Sequence, residues 1–179
     1  MNPTELNTLR RSLWLTREQA GAINGMTDRS WRYLENGTRP IPPDVQARMR
    51  KLDADANAMA DIAWDEYGNL TGVNGIEWNQ VEAVLLRYAG DADLAAAHPD
   101  MAELPADLHA AAIDRARILL EGEGARVRIV LFNRAAYRAW ITERSMEDNP
   151  GSRAAWAASA VDPAPKLGGN NAPGEDFHA

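Results

Sequence analysis

The sequence contains no cysteine. Disulfides, thiolate nucleophiles, zinc–thiolate sites and iron–sulfur clusters are thereby excluded. Histidine is nearly as scarce: His98, His109 and His178 are the only three, and they are scattered. Lysine is rarer still, with Lys51 and Lys166 the only two among 19 basic residues. No apolar run approaches the roughly 20 residues a membrane span needs, so no membrane partner is expected. The opening MNPTELNTLRRSLWLT lacks the apolar stretch of a secretion signal, and a cytoplasmic location is expected. The glycine signatures that cradle phosphates, G-x-x-x-x-G-K and G-x-G-x-x-G, are missing. His98 and His109 fall in different expected elements without ligand spacing, and read as two satisfied surface histidines rather than a metal pair. Neither an enzyme, a metal nor a cofactor is expected.

What is present is ordinary for a globular chain: 179 residues, 45% apolar and 25% charged. That is enough to build a hydrophobic core without covalent staples. The net charge of −7 argues against nucleic acid, but its distribution does not. Residues 1–51 hold nine Lys/Arg and five Asp/Glu, whereas residues 52–179 hold ten and twenty-one. A basic N-terminal module on an acidic body makes the net value misleading.

The module reads as four helices. Pro3 opens the first, which puts Leu6, Leu9 and Leu13 on one face. Thr16 is an N-cap with Gln19 three residues on, a capping box that starts a short second helix ending near Ile23. Asn24-Gly25 is a turn. Thr27 caps a third helix, Asp28 to Glu35, with Trp31 and Leu34 inward and Gly37 closing it. After an extended Arg39–Pro43 link, Pro43-Asp44 opens a fourth helix with Val45, Met49 and Leu52 in register. It continues through Tyr67, with Met59 and Ile62 facing inward. The glycines of GNLTGVNG, Gly68 to Gly75, read as a loop and boundary.

The second half reads as α+β. AVLLRYAG is a buried strand, and Asp91 to His98 a short helix stopped by Pro99. Pro105 begins a long helix to Glu121 that turns Leu108, Ala112, Ile113 and Leu119 to one face. Arg126 to Phe132 is a β-branched strand. Arg134 to Met146 is a helix, Asn149-Pro150-Gly151 a turn, and Ser152 to Val161 a small alanine-rich helix. The Pro/Gly/Asn-rich end reads as a disordered tail. On the Arg134–Met146 helix Tyr137, Trp140 and Ile141 face inward, and the six tryptophans read first as core and interface residues. The alternative for Trp140 and Trp156, with Tyr137, is an exposed patch for a partner. The expected fold class is mainly α with a small β element. Residues 1–53 form a helix-turn-helix domain, 54–75 a helix and linker, 76–161 an α+β dimerisation or partner domain, and 162–179 the tail.

Two short helices separated by a tight turn suit DNA. The first braces across the backbone, and the second enters the major groove with its N-terminal residues at base edges. Asp28, Arg29, Ser30, Arg32 and Tyr33 point outward at the start of the third helix, as such a reader requires. The stretch LRRSLWLTREQAGAINGMTDRSWRYLENGTRP resembles the Xre, or phage repressor and Cro, type of helix-turn-helix. Its Ser30-Trp31-Arg32-Tyr33 is similar to the S-W-x-Y variant of anti-CRISPR-associated repressors and related proteins. LLRYAGDADLAAAHPDMAELPADLHAAAIDRARILL resembles the dimerisation unit of that family. The resemblance covers about residues 1–121, with an insertion around Tyr67 to Glu82.

The resemblance implies site residues. Thr16 and Arg17 stand where the family holds a phosphate on the bracing helix. Arg29, Arg32 and Tyr33 occupy reading positions, where an arginine can take guanine O6 and N7 together. Asp28 accepts from a cytosine amino group, orients Arg29 or Arg32, or caps the helix. Asn36 and Arg39 lie on the following loop, a place for phosphates. Arg10 and Glu35 resemble a structural ion pair. Gly21 replaces the commoner alanine, at a helix cost of about 1 kcal/mol. The expected function is a homodimeric, sequence-specific DNA-binding repressor or autorepressor on a palindromic operator. The expected interface uses the Leu85–Tyr88 region, the Pro105–Leu120 helix, or both. The alternative is an antitoxin-like or adaptor protein whose C-terminal domain binds a protein partner.

Overall fold

A computed structural model describes residues 1–160. The disordered tail expected from residue 162 lies outside them. The chain is mainly helical with one small sheet. Helices α1 (Pro3–Ser12), α2 (Arg17–Ile23) and α3 (Asp28–Glu35) are short and capped by local side chains. Asn2 and Glu5 form a capping box on α1, and Thr16 and Gln19 form one on α2. Thr27 accepts from the Ser30 backbone amide at α3. Each cap satisfies amides that the helix start leaves without partners.

Helix α4 (Pro43–Asn74) is far longer than expected. The boundary read into Gly68–Gly75 is corrected: the helix runs through Gly68 and Gly72, and only Gly75, at φ +63°, ends it. A helical glycine costs about 1 kcal/mol, and packing offsets it here. The Trp64 and Trp78 rings lie 3.8 and 3.9 Å from where a Cβ on Gly68 would stand. These indoles stack at 6.1 Å between centroids.

Strand β1 (Glu82–Arg87) is followed by α5 (Asp91–Ala97) and α6 (Ala106–Gly122). Then come β2 (Arg126–Leu131), α7 (Arg134–Glu143) and α8 (Pro150–Ser159). The strands pair in parallel, from Glu82 opposite Arg126 to Arg87 opposite Leu131. A parallel pair needs a crossover, which α5 and α6 supply. Two strands alone are marginal, and helices cover both faces of this sheet. Ala83 and Leu85 pack with Ala116 and Leu120 of α6 and Ala60 of α4. Val84, Leu86, Val130 and Phe132 pack with Tyr137 of α7 and Trp156 of α8. The period-2 alternation of the strands feeds these two separate clusters.

Other readings are corrected. Pro150 opens α8 under an Asn149 cap, so Asn149–Gly151 is a helix start, not a free turn. Pro105 is the N-cap of α6, so the helix begins at Ala106, one position later than read. Ile62 and Leu119 face outward, at 60% and 41% exposure. The aromatic patch is not a surface: Tyr137 and Trp156 are buried against Phe132, and Trp140 packs on the same cluster. Within the Leu85–Tyr88 region, Leu85 and Tyr88 are buried inside the chain and Leu86 and Arg87 are partly exposed. His109 is buried as well, with its ring 5.8 Å from that of His98.

The N-terminal core centres on Leu6, Leu13, Leu15, Trp31, Leu34 and Met49. Leu108 and Ala112 of α6 belong to that same core. Arg115 adds polar ties, bonding the Asp53 carbonyl and carboxylate, Asn57 and Ser12. Helix α6 therefore packs on the sheet and on the N-terminal module at once.

Candidate nucleic-acid interface

The buried side of α3 fixes its orientation. Trp31 is wholly buried, and its indole N–H donates to Glu35 at 2.8 Å. Glu35 also accepts from Arg10 Nε at 2.6 Å and from Asn7 at 2.9 Å. Arg10 completes its fork on the Leu15 carbonyl at 2.7 Å. The ion pair expected between Arg10 and Glu35 is present, with both side chains largely covered. Burial pushes the Glu35 carboxyl up, but the bonds from Arg10, Trp31 and Asn7 outweigh it and hold the group below its usual range. This knot locks α1 to α3.

The turn between α2 and α3 is equally constrained. Gly25 takes φ +68°. A Cβ on Gly21 would lie 2.8 Å from the Met26 carbonyl oxygen. Gly21 is thus a requirement of the close approach of turn and helix, which corrects its reading as a weak substitute for alanine. Arg48 of α4 donates to the Ile23 carbonyl at 2.8 Å and satisfies the end of α2.

With Trp31 and Leu34 inward, the other side of α3 is open to solvent, where Arg29 and Arg32 are exposed and Tyr33 is half-buried. Two i,i+4 rows form there. In one, Arg29 Nε donates to the Tyr33 hydroxyl at 2.8 Å, with its guanidinium 5.7 Å from the ring centroid. Arg39, from the loop after α3, places its guanidinium 5.2 Å from the same centroid. In the other row, Asp28 bonds Arg32 at 3.2 Å and faces Arg17 of α2 at 3.6 Å. Asp28 therefore orients Arg32 and links the starts of α2 and α3, while the cap belongs to Thr27.

The remaining candidates divide by what their side chains already do. Thr16 Oγ1 accepts from the Gln19 amide, and Ser30 shares a bond with Thr27. Asn36 accepts from the Thr38 amide. All three shape the backbone. Arg17, Arg29, Arg32, Tyr33 and Arg39 gather on one face, where Asp28 pairs with Arg17 and Arg32 while Arg29 and Arg39 rest on Tyr33.

Sequence reasoning missed one connection altogether. The Gln19 amide nitrogen donates to Asp107 of α6 at 2.8 Å, while its oxygen accepts from the Thr16 amide. The start of α2 is thus tied to the start of α6, 88 positions away. Local sequence held only the capping-box half of this arrangement.

A family model described as Aca2/YdiL-like matches residues 1–116. No curated protein matches the chain.

Proposed function

The chain belongs to the Aca2/YdiL-like family of anti-CRISPR-associated helix-turn-helix regulators, and from that premise we propose that it is a homodimeric repressor or autorepressor acting in the cytoplasm. It reads a palindromic operator with the Xre-type helix α3 and its S-W-x-Y segment. The observation that carries the reading is the division of α3. Trp31 and Leu34 are buried, while Arg29, Arg32 and Tyr33, joined by Arg39, line the opposite face. A major groove admits such a helix, and exposed arginines at its start match guanine edges. Arg17 and the backbone of Thr16 at the start of α2 would hold a phosphate, since free amides and the helix dipole there favour an anion.

Dimerisation rests on the outer surface of α6 and β2. Ile118, Leu119, Ile129 and Leu131 are exposed apolar side chains there. A two-fold pair of readers would meet half-sites one helical turn, or a multiple, apart. An aromatic patch left exposed on the dimer would favour the adaptor or antitoxin-like alternative. Tyr137 and Trp156 are consumed inside the chain, so the plain repressor is favoured.

The test is selection of bound sequences from random duplexes by the purified chain. A palindrome with a common half-site is expected. Recovery of no shared sequence at moderate salt overturns the reading.

A further inference from the structure

A cavity of about 400 Å³ lies between α4, β1, the start of α6 and α8. Cavities of roughly 300–1,000 Å³ are the usual size for small-molecule sites. Its walls are apolar, with Met59, Val84, Leu86 and Ile113 among them. At one end stand His98 and His109. Their rings and that of Tyr88 form a triangle with centroids 5.2 to 5.8 Å apart. The Tyr88 hydroxyl reaches His98 Nε2 at 3.3 Å. His109 is only 8% exposed, and its Nδ1 is buried with no hydrogen-bond partner among the described residues. An unpaired buried polar atom costs about 1–3 kcal/mol. The ring of His109 nevertheless forms part of the cavity wall, beside His98 and Tyr88.

The charges around the cavity define what fits. Burial, with His98 adjacent, lowers the His109 ring to about 4, so it is neutral at pH 7. The Arg153 guanidinium is already committed, to Asp148 at 2.8 Å and the Ala97 carbonyl at 2.9 Å. Glu66 and Asp100, both exposed, are the other charged lining residues. The cation in the lining is ion-paired with Asp148, and the other two charged lining residues are carboxylates, which disfavour an anion. Burying an unpaired charge is expensive.

We propose that this cavity is an effector site for a small neutral molecule, apolar in its body and carrying one hydroxyl or similar group for the cluster of Tyr88, His98 and His109. Its connection to α2 is short. On α6, His109 and Ile113 face the cavity, while the adjacent Leu108 sits in the N-terminal core and Asp107 holds Gln19 of the α2 capping box. An occupant that repositions the start of α6 changes the start of α2. The regulatory meaning of that coupling rests on the DNA-binding reading, whereas ligand binding does not.

The experiment is calorimetric and NMR titration of the full chain with p-butylphenol, and with p-butylbenzoate as the anionic counterpart. Saturable one-to-one binding of the phenol is expected, with the benzoate weaker by about tenfold or more. Ala154→Phe, a substitution at an exposed lining position, blocks the cavity and lowers phenol affinity by a similar factor of about ten, with the melting temperature unchanged. His109→Leu weakens the phenol by about fivefold while raising the melting temperature, since the unpaired nitrogen is gone. The amide signals of Thr16 and Gln19 shift with phenol in the natural sequence and not in Asp107→Ala. Absence of saturation, equal affinity for the benzoate, or indifference to Ala154→Phe overturns the proposal. So does conversion of a dimer to a monomer by Ala154→Phe, which would assign the cavity to a second copy of the chain. No readout uses DNA, so failure here is separable from failure of the operator selection.

Discussion

Gly21 and Met26 approach so closely that a Cβ on the glycine would stand 2.8 Å from the methionine carbonyl oxygen. Helix propensity favours Gly21→Ala by about 1 kcal/mol, but the obstacle is backbone and cannot swing aside. The substitution is expected to destabilise the fold by roughly 1–3 kcal/mol, the scale of overpacking. Urea unfolding checks it. An unchanged or higher midpoint would show that the turn yields.

Acid should attack the Glu35 knot. Its folded carboxyl titrates below the ordinary value of 4.5. The resulting stability is complete above that value and is lost as pH falls through the folded one. Glu35→Gln is expected to flatten the acid limb of the stability curve and to lower stability at pH 7. Trp31→Ala removes the buried indole and should cost about 3–5 kcal/mol. Melting curves from pH 7 down to pH 3 distinguish the two. A Glu35→Gln protein as acid-sensitive as the natural one would contradict the assignment.

Phosphate contacts predict salt dependence. The logarithm of the operator affinity should fall linearly with that of salt concentration. Arg17→Ala is expected to weaken all duplexes about equally and to flatten the slope by about one unit per subunit. Fluorescence titrations over a salt series measure this. Salt-independent binding would remove the electrostatic basis of the interface.

Specificity should lie in α3. Arg29→Ala, Arg32→Ala and Tyr33→Ala are expected to stay folded, since none belongs to the core. The most critical of them should lose roughly 1–3 kcal/mol on the selected site and little on random DNA. Asp28→Asn releases Arg17 and Arg32 and should raise affinity for random DNA, eroding discrimination. If all three alanine variants bind like the natural protein, α3 is not the reader.

The exposed pair Ile118 and Leu119 on α6 should be covered in the dimer. Replacing both with glutamate is expected to give a folded particle of 19.6 kDa by light scattering, where the natural chain gives twice that mass. A dimer that survives the double substitution places the interface elsewhere.

The N-terminal module was readable from its sequence because its signals are local. Thr16 with Gln19, Thr27 with Ser30, and Gly25 and Gly37 at positive φ act within three or four residues of their own backbone. The Trp31 and Leu34 spacing then sets which side of α3 is free. The rest depended on partners far away in the chain. Gly68 looked like a break until Trp64 and Trp78 packed over it. Trp156 could stand in the core or on the surface until Phe132 and Tyr137 packed against its ring. The two histidines looked solvated because nothing in their spacing shows that α6 and β1 enclose one of them. The arginine and tyrosine positions of α3 were legible, and Asp28 orienting Arg32 was one of the roles open to it, but the Arg39–Tyr33 contact, the Arg17–Asp28 link and the Gln19–Asp107 bond were not. Caps and turns are decided by backbone geometry that a few neighbouring residues dictate. Burial and long-range pairing are decided by which surfaces the whole chain brings together, and only the tertiary structure contains that information.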